Sequence, residues 1–172
     1  MLRFLRQRLI TRFEAVLGVG LPYLRHIERH RPGLMLPIGL SMPAMSYGSH
    51  MPSGFLHLVR LGATIAQDCG ECLQIAVNMA TRDGLAAETI RTALRGDADG
   101  FEATAFAFGR QLGLGLDAPE ERDAIRKQWG EQGLIEAANA AASALFFPAL
   151  KRGLGFAEAC NLQSLHIPPR AA

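Results

Sequence analysis

A chain of 172 residues, 49% apolar and 20% charged, is long enough for one domain with a sizeable buried core. Its apolar runs fall short of the roughly 18 residues of a membrane span, and three cysteines are too few for a disulfide-built secreted scaffold. The expectation is a soluble, cytoplasmic protein. Net charge is only +2, but residues 1–31 hold seven arginines against Glu14 and Glu28, while the remainder carries eleven basic and fourteen acidic side chains. A basic helix docked on acidic neighbours is the preferred reading over a polyanion or membrane partner, and no nucleic-acid partner is expected.

Taken in order, residues 2–17 place Leu2, Leu5, Leu9, Phe13, Val16 and Leu17 on one helical face, with Arg3, Arg6, Arg8 and Arg12 largely off it. That face is expected to dock on the rest of the fold, although a helix in peripheral contact with a membrane carries the same pattern. The start lacks the apolar core and cleavage site of a secretory signal; an organellar transit peptide shares its Arg-rich character. Gly18 and Gly20 end the helix, and Pro22 opens a second one reaching about Arg31. Between 32 and 54, four prolines and four glycines leave room for at most a short helix. Met42, Met45, His50 and Met51 fall in that stretch. They read as gap-filling side chains before they read as a soft-metal site.

Helices are then expected over about 54–66, 69–82, 86–94 and 101–112. The box Asp117-Ala-Pro-Glu120 opens another to about Gln132, with Trp129 as a core or interface anchor. A last long helix covers Leu134–Arg152, kinked at Pro148, and its small face Ala137–Ala144 lets another helix approach closely, within the chain or across a subunit boundary. Cys160 is placed in a final short helix, and the tail from Pro168 is expected to fray. No strand pattern and no phosphate-binding glycine loop occurs, so the fold class is all-α: an arm and Pro/Met-rich loop over 1–53, packed on a helical core over 54–172.

The stretch His57–Ala80 carries the chemistry. Cys69-Gly-Glu-Cys72 sets two thiols one turn apart, with Asp68 expected as N-cap and Glu71 closing an Asp-x-x-Glu capping box. The positive end of a helix favours a thiolate, and this spacing lets a disulfide close across one turn. A redox dithiol, half of a zinc site completed by His50 or His57, and inert packed cysteines all remain open readings.

At this point the chain resembles the carboxymuconolactone decarboxylase/AhpD-like (alkylhydroperoxidase) superfamily. The similarity runs from about His57 to Gly155, through Leu58-Val-Arg-Leu-Gly-Ala-Thr-Ile-Ala-Gln-Asp-Cys-Gly-Glu-Cys72, Ala80-Thr-Arg-Asp-Gly84 and Gly133-Leu-Ile-Glu-Ala-Ala. The resemblance implies an all-helical bundle that forms a homo-oligomer and works as a peroxidase or thiol–disulfide oxidoreductase. It also implies catalytic Cys69 and Cys72, an external dithiol reductant (lipoyl or thioredoxin-like), and no cofactor. The lactone decarboxylase branch typically lacks the paired cysteines. The AhpD pattern has a glutamate where this chain has His57, and histidines where it has Glu71 and Ala76, so the usual proton relay is not intact. An antiparallel hairpin of the helices 54–66 and 69–82 sets position 57 opposite position 76. His57 is therefore expected to serve as the base, helping to deprotonate Cys72 or to shuttle a proton, with the candidate Glu71 about 7.5 Å along the helix axis from position 76 and reached directly or through a bridging water.

Overall fold

Eight α-helices and two short 3-10 turns make up the described residues, 2–168 of a computed structural model, and no strand occurs among them. The side chains of Leu2 and Arg3 and the tail from residue 169 onward lie outside the described residues. The class is all-α.

The fold is built around α4, Ser53–Ala66. Leu56, His57, Leu58, Val59, Leu61, Gly62, Ala63 and Thr64 are all buried, and a helix apolar around so much of its girth has to be enclosed on several sides. It packs on α5 (Gly70–Arg82), α6 (Ala87–Arg95), α7 (Gly100–Gly113) and α8 (Pro119–Gly153). Side chains such as Leu58 and Leu61 each contribute roughly 1.5–3 kcal/mol by leaving water. The α4–α7 pair is the tightest, and glycine is the reason. A Cβ on Gly109 would lie 2.8 Å from the carbonyl carbon of Val59, and one on Gly113 2.6 Å from the oxygen of Ala63. The alanine face of α8 is used inside the chain too, with Ala137, Ala140 and Ala141 in the same core. Trp129 is an anchor there, its ring 5.0 Å from Phe55 and 5.1 Å from Phe101.

Several boundaries differ from expectation. α8 is interrupted at Gly130 (φ 69°, ψ −175°), a conformation open to glycine, and Pro148 is accommodated within helical dihedrals downstream. By length and composition α8 alone among the described helices could cross a membrane; in this fold it packs on α4 and α7, with a third of its apolar stretch buried. Residues 32–45 hold more helix than their prolines suggest: a 3-10 turn, Pro32–Leu34, leads into the eleven-residue α3, Met35–Met45. Pro37 falls in the first turn, where a missing N–H costs no bond, so only Pro43 interrupts the ladder. At the other end, Cys160 sits in an irregular segment rather than a helix, ahead of the turn Leu162–Ser164.

The loop after α3 is fastened by a buried carboxylate. Glu136 accepts the backbone N–H groups of Ser49 (2.7 Å), His50 (2.9 Å) and Met51 (2.8 Å), and the His50 ring nitrogen Nδ1 lies 3.0 Å away. Burial alone raises its pKa, but these donors outweigh burial and hold it at about 2. Met51 goes into the core, and His50 is committed to Glu136.

The N-terminal helices α1 (Leu2–Leu17) and α2 (Pro22–His30), with α3, form a second cluster. Ile10, Leu21, Tyr23, Leu24, Ile27 and Ile38 pack there against Ile75 of α5 and Phe147 and Leu150 of α8. Here one expectation is reversed: α1 does not dock by the face of Leu5, Leu9, Phe13 and Val16. Its inner face combines Ile10 and Leu17 with polar groups that reach α2. Arg6 and Gln7 donate to Glu28, and Arg25 donates to Gln7 and Glu14. Leu5, Leu9 and Val16 remain 51–59% exposed.

Candidate functional site

The start of α5 is set by Asp68, the one non-glycine residue at positive φ (46°) among those described. An aspartate tolerates this left-handed conformation better than most side chains. The turn makes Cys69 the N-cap and Gly70 the first helical residue. The expected capping box therefore does not form. Asp68 points away and accepts the Cys160 N–H at 2.8 Å, while Glu71 forms an ion pair with Lys151.

Cys69 and Cys72 lie at disulfide-bonding distance, with Cα atoms 5.3 Å apart. Both are buried: Cys69 is 1% exposed and Cys72 8%. The segment after α8 packs against the start of α5. The Gly70 N–H donates to the Glu158 carbonyl (3.1 Å), and Gln74 exchanges two hydrogen bonds with the backbone of His166. A Cβ on Gly70 would lie 3.1 Å from the carbonyl oxygen of Ala159. This packing sets the Cys160 backbone against Gly70, and burial and Asp68 raise the pKa of its thiol.

On the other side is a buried charge. Lys151, 1% exposed, reaches Glu71, and its ammonium lies 5.2 Å from the centre of the Tyr23 ring. Burial and the nearby Glu71 carboxylate push the Tyr23 phenol above its ordinary pKa. Because α5 begins with these groups, a thiolate on either cysteine would share the helix N-terminus with an ammonium and a carboxylate.

His57 is elsewhere. Its Nε2–H donates to Asp83 at 3.0 Å, and Asp83 caps the C-terminal end of α5, about 20 Å along the axis from Cys69. The expected role of His57 as base opposite Ala76 therefore has no direct contact to carry it; the partner it finds lies seven residues further along α5. Burial lowers the His57 pKa, with the nearby Arg60 adding to the effect and Asp83 opposing it, so the ring is held neutral. Its Nδ1 and Thr81 Oγ1 are the buried side-chain polar atoms without a hydrogen-bond partner among the described residues. Neither His50 nor His57 meets the cysteines, and no cluster of three metal-binding His, Cys, Asp or Glu side chains occurs among the described residues.

Of the four candidate residues, Cys69, Cys72 and Glu71 are together and His57 is apart. The sequence reading did not single out Lys151 or Tyr23. One signal was present: Lys151 is one of two lysines in the chain and closes a mostly apolar helix segment. A cleft of about 470 Å³ between α6 and α7, lined by Leu94, Phe106 and Arg110 among others, is bordered by none of the cysteines. Compared with family models, with curated proteins and with solved structures, the chain matches none.

Proposed function

We propose that the protein is a thiol-dependent oxidoreductase of the AhpD-like type, reducing a peroxide or disulfide through Cys69 and Cys72. The observation that carries this reading is the placement of both sulfurs within bonding reach at the start of α5, beside the Glu71–Lys151 pair. Cys72 is the more exposed of the two residues and takes the attacking role. Its thiolate attacks a hydroperoxide oxygen, the O–O bond breaks, the alkoxide leaves protonated as alcohol, and Cys72 becomes a sulfenic acid. The Cys69 thiol then displaces water from that sulfur and closes the disulfide. An external dithiol, lipoyl or thioredoxin-like, reopens it by exchange and leaves as its own disulfide. Glu71, ion-paired with Lys151, takes the proton-handling position in place of His57. Residues 156–168 lie against this end of α5, bonded to Asp68, Gly70 and Gln74.

The burial of both sulfurs favours a rival reading in which they are structural. Serine variants separate the two. Cys72→Ser is expected to abolish dithiol-dependent hydroperoxide turnover and sulfenic-acid trapping. Cys69→Ser is expected to abolish turnover while leaving the trapped adduct on Cys72. Undiminished turnover in both variants, or none in the wild type with any hydroperoxide or disulfide offered, discards the enzyme.

A further inference from the structure

We infer that the outward face of α1 is a docking surface for an anionic phospholipid bilayer. Leu5, Leu9, Phe13 and Val16 fall within one arc of the helix, and Phe4 is exposed beyond it. At 3.6 residues per turn Arg12 lies between Arg8 and Leu5, so two exposed arginines border the apolar stripe. Arg8 lies over the Phe4 ring at 5.3 Å, and Arg12 makes no ion pair among the described residues. An apolar stripe edged by arginines is the pattern of a helix that lies in the headgroup region with its apolar side sunk toward the acyl chains.

Among the described residues none covers the stripe, whose Leu5, Leu9 and Val16 stay more than half exposed. Rolling α1 over would unmake the bonds that hold Arg6, Gln7 and Glu14 to α2 and expose Ile10, now fully buried. Charge then selects among outside partners. Up to residue 67 the only acids are Glu14 and Glu28, and both are engaged by arginines facing inward. Arg8, Arg12, Arg29 and Arg31 are exposed. A second copy placed face to face on α1 would set this positive surface against its own image. A nucleic acid would engage the arginines and leave the leucine stripe in water. A bilayer containing anionic lipid answers both features at once. α3 exposes Leu36 and Leu40 as well, further apolar surface in the same acid-poor part of the chain.

The surface does not depend on the thiol chemistry, and its test reads no activity. The full chain is sedimented with vesicles of phosphatidylcholine, alone or mixed with phosphatidylglycerol, at low and high salt. Binding to the mixed vesicles is expected to exceed binding to neutral ones by roughly tenfold or more and to weaken as salt rises. Arg8→Gln/Arg12→Gln is expected to lose roughly fivefold per arginine, and Leu9→Ser/Phe13→Ser roughly tenfold or more. Both variants should melt with the wild type, because these side chains are exposed. Cys69→Ser/Cys72→Ser should bind vesicles like the wild type. Equal partition into neutral and anionic vesicles overturns the proposal, as does binding that survives Leu9→Ser/Phe13→Ser. A wild-type dimer that this variant converts to monomer, with no vesicle binding in either, assigns the face to a second copy instead.

Discussion

Two helices of this chain carry apolar residues at the same helical period and fold in opposite ways. In α4 and its neighbours the apolar side chains turn inward, and Val59, Leu61 and Ala63 have no exposure at all. In α1 the longer apolar stripe turns outward, and the inner face is completed by Arg6, Gln7 and Glu14 reaching α2. An apolar period fixes that a helix has two faces. Which face is buried depends on the partner available, and α2 offers α1 charges as well as Leu21, Leu24 and Ile27.

The sharpest way to break this contrast is to force the α4–α7 contact apart. Gly109→Val places methyl groups into the backbone of Val59, and we expect a loss of more than about 3 kcal/mol, seen as a collapsed urea midpoint or failure to fold. Next in size is a matched pair of truncations. Leu61→Ala should cost about 3 kcal/mol, while Leu9→Ala should stay within about 0.5 kcal/mol. Equal losses at the two sites would erase the distinction between the regions.

Glu136 sharpens the comparison from a different side, because it fastens the connection between the N-terminal helices and α4. With its pKa held at about 2 against an ordinary 4.5, its stabilisation is fully present above pH 4.5 and is lost as pH falls through 2. Glu136→Gln cannot accept three N–H groups with a charged oxygen pair. It should cost about 2 kcal/mol at neutral pH and flatten the acid limb of a stability–pH curve measured by urea melts. His57 gives the smallest effect, and one confined to a pH range. Its pKa is lowered, so the unfolded chain takes up a proton near pH 6.5 that the folded chain resists. Stability therefore falls as pH drops below about 6.5, by up to about 1.4 kcal/mol per pH unit, and His57→Gln should remove that slope.

Much of the fold was legible because its signals are local. The 3.6-residue period marked α1, α2 and α4 through α7 to within a residue or two. The misses came where a local signal had two outcomes. Prolines at 37 and 43 read as helix breakers, yet the first sits where α3 has no bond to lose. Asp68 read as an N-cap, yet it turned left-handed and passed that position to Cys69. Cys160 read as helical, but its backbone was claimed by Asp68 from 92 residues away.

By itself the sequence determined an all-α chain, two thiols one helical turn apart at a helix start, and an N-terminal third with almost no acid. Each of these is carried by neighbouring residues, whose spacing sets the backbone's preferences directly. Only the tertiary structure decided that His57 meets Asp83, that Glu71 meets Lys151 eighty residues on, and that α1 shows its leucines to the outside. Those choices are made when whole helices pack. A buried charge takes whichever opposite charge the packing brings within reach, and residue spacing carries no record of which one that will be.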